Sequence, residues 1–456
     1  MTPLFALLFD SLDERLRLRK PGRKVVNKVF PEHWAFLLGE VSLFSFIVLV
    51  LTGIFLTMFY TPSVDAVTYT GEDPLYRGQV LPAAFESVVR LSFDVEGGLL
   101  FRRIHRGASH LFVASIVLHM LRVILTGAFR RPREINYHIG IVLLLLSFAS
   151  GFTGQSLPYD LLAGTGIRIA YTELLSTPFI GDRLAFWVFG GDFPGTDVIP
   201  RFFAFHVLAL PGLIVAVMTL HLAIIARQTH TQFPSARVDG HRQVLGKPLW
   251  PSQFHVSTTL VLWLGGLLTL AAVLVPWSDE ALVAPYLVGD ITNQAQPEWF
   301  LFWLEGALRI FPPVEFSLLG MTISGPFVAG ALFPALIIAV LVAYPTIEKR
   351  FYGLQGDWHV LQNPLEIPLR AAFASGFFGF LLLMAAAATN DILSNLTGIP
   401  IETITWFFRI ASPVLPAAAA VLLYRYSSAR LRRAGLQVAR VEATADTAPG
   451  VAATGE

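Results

Sequence analysis

Four histidines have the type and spacing to hold metal cofactors. His105 and His119 lie fourteen residues apart in one apolar run, and His206 and His221 lie fifteen apart in another. On a helix turning about 100° per residue, fourteen residues make four turns less about 40°, and fifteen make four turns plus about 60°. Each pair therefore lies broadly on one helix face, its members about 21–22 Å apart at a rise of ~1.5 Å per residue. One intervening span makes the two helices parallel. His105 and His206 then share one depth, and His119 and His221 share the other. Imidazole is a common axial ligand of haem iron, so two facing imidazoles at each depth specify two haem sites stacked across a membrane. A lone histidine in a membrane helix can equally be a hydrogen-bonding group or a cavity lining; four at two matched depths are hard to obtain that way. His110 fails the test, since it lies about 140° round the helix from His105, and it is expected to meet a neighbouring helix or solvent. His33, His138, His230, His241, His255 and His359 fall at span ends or in connections and read as interfacial.

Glycines and arginines supply the surroundings. Gly39 and Gly53 on one neighbouring span, and Gly140 and Gly154 on the other, repeat the fourteen-residue spacing. A flat macrocycle needs a helix without a side chain where it passes, which glycine provides; ordinary small-residue helix packing is the plainer alternative. Arg102, Arg122 and Arg201 each stand three to five residues from one of the four histidines. Haem propionates are anions in a poorly hydrated place and need cationic donors. The alternative for an arginine at these depths is snorkelling to the interface.

Only long apolar helices can position such residues, and the composition supplies them. Of 456 residues, 54% are hydrophobic and 14% charged, against about 25% charged in soluble domains. Apolar runs approach the ~20 residues that a helix needs to cross a ~30 Å hydrocarbon core. Eight such runs lie at about 34–59, 103–128, 137–157, 202–226, 256–276, 327–344, 371–389 and 405–424. Only helices and closed barrels span lipid, so the fold class predicted is an all-α membrane protein. Spans one to four would form a diheme four-helix bundle, with a C-terminal four-span part after it. The expected division is a surface-lying amphipathic helix and linker at 1–30, the haem bundle at 31–230, the four-span domain at 231–430 and a disordered tail at 431–456.

Charge placement orients these spans. Lys and Arg gather before span one and after spans two, four and eight, for example at Arg130, Arg131 and Arg133, while the alternate connections are more acidic. The positive-inside rule then puts both termini on the cytoplasmic side of a bacterial inner membrane. The absence of cysteine excludes disulfides, iron–sulfur ligation and thioether-linked haem by this chain. Leu4 to Lys20 lacks a cleavage-site pattern and reads as amphipathic. The connections at 158–201 and 277–326 are long enough to carry function or short helices.

With these histidines and glycines in place, two further segments are distinctive: Arg201-Phe-Phe-Ala-Phe-His206 and Pro297-Glu-Trp-Phe300. Together they resemble cytochrome b of the quinol:cytochrome c oxidoreductase (cytochrome bc) complexes, over roughly residues 30–425. The resemblance implies haem b at both histidine pairs, with the low-potential haem between His105 and His206. It implies a quinol-oxidation pocket lined by Pro297, Glu298, Trp299 and Phe300, in which Glu298 accepts a proton. Gly154, Leu157 and Pro158, at the end of span three, form its other wall. It also implies a Rieske iron–sulfur subunit, a c-type cytochrome partner, a homodimeric complex in a lipid membrane and no role in nucleic-acid binding.

Electrons from quinol would divide between the Rieske partner and the haems, with quinone reduced near the inner face and a proton gradient generated. Phe300 departs from the family's usual tyrosine. The segment Leu157 to Gly166 and the fifteen-residue spacing look like bacterial members. The family's inner-site histidine after span four is Ala226 here, so that site is unassigned. Two rivals remain: a secondary transporter, which would carry no chromophore, and a diheme membrane anchor that passes electrons to quinone without dividing them.

Overall fold

Among the described residues of the computed structural model, eight helices are long and apolar enough to cross a membrane. They are Trp34–Thr57, Gly98–Thr126, Glu134–Ser156, Val198–Gln228, Leu249–Leu274, Phe327–Tyr352, Pro368–Ala387 and Ile401–Arg433, spans one to eight in order. The structure describes residues 13–15, 17, 23, 26–193, 195–234, 244–275, 284–290, 292, 296–318, 320–354 and 356–435. The order of spans matches the apolar runs, but several helices run further. Span eight continues to Arg433, across the expected start of a disordered tail at 431. A hydropathy reading stops at the first charges, whereas Arg and Leu continue a helix readily. Most of the expected N-terminal surface helix, and the tail beyond 435, lie outside the described residues.

Lipid tails are as apolar as leucine, so spans associate through close packing and polar contacts rather than through the hydrophobic effect. Span one packs along span two, where Ser42 and Ser115 share a hydroxyl contact of 2.9 Å. Span three packs along span four. Span five joins span one through Glu40, whose carboxylate accepts from Gln253 at 2.8 Å and Ser257 at 2.7 Å. Span six joins span three through the Tyr137 hydroxyl, which donates to the Leu341 carbonyl at 2.9 Å.

One buried ion cluster ties the C-terminal spans to the bundle. Glu348 on span six accepts from Arg370 on span seven at 2.6 Å and from Arg130, just past span two, at 3.0 Å. The Tyr344 hydroxyl adds a donor at 2.7 Å. Every charge in the cluster has a partner, and removing one partner of such a buried group typically costs about 3–5 kcal/mol.

The two ends of the bundle are built differently. At one end, strand Val29–Pro31 pairs antiparallel with Gly246–Pro248. Lys28 there donates to the carbonyls of Ile225 and Ala226, both at 3.0 Å, a cation on the last carbonyls of span four. At the other end the long connections form short helices, Ala83–Phe93, Leu161–Leu175, Gly181–Phe189 and Phe302–Ile310. Asp160 caps the second of these by accepting from the Ala163 amide at 2.8 Å. Burial pushes its carboxyl above the usual range, against the pull of that amide and of Arg102 and Arg106. The Tyr60 hydroxyl ties span one to this end by donating to the Leu157 carbonyl at 2.6 Å.

Candidate functional site

His105 on span two and His206 on span four face each other with ring centroids 6.2 Å apart, their planes at 72°. Their second nitrogens are fixed. The Thr52 hydroxyl donates to the Val48 carbonyl, so it serves His105 Nδ1, 2.9 Å away, as an acceptor. His206 Nδ1 donates to the Ser150 carbonyl at 2.9 Å. Both rings therefore carry their proton on Nδ1 and leave the Nε2 lone pair for a metal. The separation fits a single ion held between them: two metal–imidazole bonds of about 2 Å and two nitrogen-to-centre distances of about 1 Å add to about 6 Å. A hydrogen-bonded Nδ1 is the ordinary outer partner of a metal-binding histidine.

Span four reaches this geometry through a local change of helix type. Residues Phe205–Ala209, including His206, form a π-helical turn, directly before Pro211. Proline lacks the N–H that would bond the carbonyl four residues back, and a π-turn absorbs one extra residue without breaking the helix. The fifteen-residue spacing on span four is thereby brought into register with the fourteen on span two.

The four glycines lie one against each imidazole: Gly53 on His105, Gly39 on His119, Gly154 on His206 and Gly140 on His221. They are not equivalent. A Cβ on Gly154 would overlap the His206 ring, whereas one on Gly140 would lie 4.0 Å from His221. Gly154 is thus required by the ring itself, before any macrocycle is considered.

The second pair has a different setting. His119 Nδ1 is buried without a hydrogen-bond partner among the described residues. His221 lies near the Asn136 backbone without reaching hydrogen-bond geometry. Beside them Arg122 lies 4.2 Å over the Phe36 ring and 5.7 Å from the Phe233 ring, with Nε and Nη2 buried and without an acceptor among the described residues. Buried guanidinium N–H groups of this kind fit an anionic group that arrives with a ligand. His230 closes this end; burial next to Lys28, Arg133 and Arg122 pushes it down to about 4, so it is neutral.

A cavity of about 520 Å³ joins the first pair to the Pro297 turn. Its walls include His105, His206, Gly53, Gly154, Leu157, Pro158, Pro297, Glu298 and Phe300, with Arg102 and Tyr60. Arg102 is buried and donates to Ser92 at 3.1 Å. Arg201 donates to the Trp187 carbonyl, in the short helix Gly181–Phe189, and does not line the cavity. Trp299 departs from the expected pocket lining. It is 40% exposed and absent from the cavity wall, because its indole N–H donates to His110 Nδ1 at 3.1 Å.

Phe300 is buried and stacks on Phe148 with centroids 5.5 Å apart. Its para carbon points at Gly151, where even a Cβ would overlap it. A tyrosine hydroxyl would need that same space, which accounts for the phenylalanine.

Glu298 has partners that sequence reasoning missed. Its carboxylate pairs with Arg106 Nη2 at 3.0 Å and lies 3.7 Å from His110 Nδ1, and its amide donates to Gln155 at 3.2 Å. The available signal was the four-residue spacing of Arg106 and His110, which places both on one helix face; Arg106 also lines the cavity beside His105.

Relatives sharpen these observations. The family model described as cytochrome b (N-terminal)/b6/petB matches residues 110–290. The cytochrome bc1 complex cytochrome b subunit of Mycobacterium tuberculosis is 40% identical over 418 residues, covering 91% of this chain and 76% of that one. The subunit of the same name from Streptomyces coelicolor is 37% identical over 425 residues, covering 93% and 78%. The chain belongs to the cytochrome b subunits of cytochrome bc1 complexes. It is therefore a multi-pass membrane component of an oxidoreductase complex. A solved structure titled hyperthermophilic respiratory Complex III shares its fold, with a TM-score of 0.63 at 18% identity over 91% of this chain and 99% of that one. In a cytochrome b, haem b and quinone are the cofactor and substrate the family implies.

Proposed function

We propose that this cytochrome b holds one haem b between His105 and His206 and a second between His119 and His221, and oxidises quinol in the cavity beside the first. The observation carrying the reading is the His105–His206 pair, with both Nδ1 atoms hydrogen-bonded and neither Nε2 bonded among the described residues, opening on the cavity that Glu298 lines. When bound, each haem supplies one-electron chemistry. The rest is done by the chain. Thr52 and Ser150 orient the first pair of rings. Gly39, Gly53, Gly140 and Gly154 keep side chains away from them. Arg102 and Arg122 are placed to meet propionates. Pro297, Phe300, Leu157 and Pro158 shape an apolar pocket that positions quinol and excludes water, and Glu298 accepts its hydroxyl proton.

The quinol's electrons part company. One goes to a Rieske iron–sulfur partner and on to a c-type cytochrome subunit, and the other crosses to a quinone at the Lys28 end. Moving one charge against 100 mV costs about 2.3 kcal/mol, so the two depths of the histidine pairs couple oxidation to a proton gradient. The homodimeric complex sits in a bacterial inner membrane with both termini cytoplasmic, on the charge pattern of its connections.

The test is a dithionite-reduced minus oxidised spectrum of the purified complex, joined to quinol-driven cytochrome c reduction. Two b-type haems per chain are expected, with activity falling roughly 100-fold or more in Glu298→Gln. A colourless preparation would favour a transporter. Haems with unaltered activity in Glu298→Gln would remove that residue from the reaction.

A further inference from the structure

Span two brings His105, Arg106 and His110 to the Glu298 end. His105 and Arg106 both line the cavity, and Arg106 and His110, one turn apart, meet Glu298 of the Pro297–Trp299 turn. We propose that His110 is the next proton carrier after Glu298, and that Arg106 and Trp299 set when the transfer occurs. The proposal rests on the reading of Glu298 as the quinol's proton acceptor, and it adds the route by which that carboxyl is emptied.

The contacts order the events. Before reaction, Arg106 Nη2 pairs with the Glu298 carboxylate at 3.0 Å, and Trp299 N–H occupies the Nδ1 lone pair of His110 at 3.1 Å. His110 is therefore the Nε2–H tautomer, with an acceptor nitrogen 3.7 Å from the carboxylate. That gap is just beyond hydrogen-bond length, and such contacts tighten when a site is occupied. The quinol O–H breaks as its proton goes to a Glu298 carboxyl oxygen, while the electron goes to the iron–sulfur partner. The neutral carboxyl no longer attracts Arg106, so it can turn to His110. Its O–H then breaks, the proton bonds to Nδ1, and Trp299 N–H is displaced from the nitrogen. His110 becomes a cation beside Arg106, which disfavours that charge and promotes release of a proton to water at the connecting-loop surface. Ring rotation restores the starting tautomer. The charged groups facing His110 are Glu298, from the turn packed on span two, and Arg106, from its own helix. His110 touches no substrate and acts through Glu298, so it is a positioning and relay residue.

The experiment measures quinol-driven cytochrome c reduction by the purified complex across pH 5.5–8.5 for wild type, His110→Gln, His110→Asn and Glu298→Gln. Haem spectra establish assembly of each. Wild type should gain rate with rising pH as His110 becomes able to accept a proton. In His110→Gln and His110→Asn, kcat should fall roughly 10- to 100-fold with KM little changed, and that rising limb should vanish. External imidazole should restore part of the rate in His110→Asn and none in Glu298→Gln. If both His110 variants assemble and keep wild-type rate and pH limb while Glu298→Gln is inactive, the relay is wrong and the role of Glu298 stands. If Glu298→Gln itself is active, the underlying reading fails first.

Discussion

The two histidine pairs share a helix spacing but not an environment. At the Glu298 end, both Nδ1 atoms are hydrogen-bonded, a glycine is sterically required, and a large cavity adjoins. At the Lys28 end, the glycine contacts are ordinary, Arg122 lies between aromatic rings, and among the described residues neither His119 Nδ1 nor Arg122 Nε and Nη2 has a hydrogen-bond partner. On the proposed reading, matched spacing sets where two haems would sit, while the neighbours decide how tightly each ligand would be held. A donor bond at Nδ1 makes an imidazole a stronger ligand and fixes its ring. On that reading the first site would serve orientation beside a reacting substrate, and the second the reception of an anionic group next to a cation.

The largest expected effect comes from removing a ligand at either end. His206→Leu should lose the haem at the Glu298 end and abolish quinol oxidation. His221→Leu should lose the other haem, leaving the Glu298-end bands in the spectrum and blocking transfer across the membrane. Pyridine haemochrome quantification should give one haem per chain in each variant. A variant that kept both haems would break the pairing of His105 with His206 and His119 with His221, and with it the comparison.

The sequence made the spans and the histidine depths legible because both are period-based signals carried by many residues. It made the glycine positions legible for the same reason, though not their inequality, which depends on the exact approach of His206 to Gly154. The fifteen-residue spacing was visible and its remedy was not: the π-turn before Pro211 is a backbone event with no periodic signature. Arg201 satisfied a distance rule along the chain but donates to the Trp187 carbonyl, because the helix Gly181–Phe189 packs against the start of span four and offers it that acceptor. Arg106 was passed over because the phase test asked only about histidines, and His110, expected to meet a neighbouring helix or solvent, had no partner named for it. Their partner, Glu298, arrives from nearly two hundred residues away in sequence, and no local pattern announces that.

The next prediction uses the glycines to sharpen the contrast. Gly154→Ala introduces a Cβ that overlaps the His206 ring, with span-three backbone behind it. Overpacking of this kind costs about 1–3 kcal/mol, and here it would be relieved by tilting the imaginary line between His105 and His206. Reduced haem content or a shifted absorption band at the Glu298 end is expected. Gly140→Ala has 4.0 Å to the nearest His221 atom and should leave both haems in place. Equal damage from the two variants would mean that macrocycle clearance, common to both ends, outweighs contact with the rings.

The smallest expected effect tests the hydrogen bond itself. Thr52→Val keeps the branched shape and removes the hydroxyl that receives the His105 Nδ1 proton at 2.9 Å. The buried N–H then lacks its acceptor, a loss of about 1–3 kcal/mol, and the ring at the Glu298 end comes to resemble His119. A less basic imidazole stabilises ferric iron less well, so the midpoint potential of that haem should rise. Its retention on dilution should weaken by roughly 10- to 100-fold, the range typical of lost outer-partner bonds. The potential of the other haem serves as the internal reference, since Thr52 lies on span one against His105 and far from His119. A potential gap between the haems that is unchanged in Thr52→Val would show that the ends differ through the cavity and Arg122 instead, and would move the origin of the asymmetry from the ligands to the charges around them.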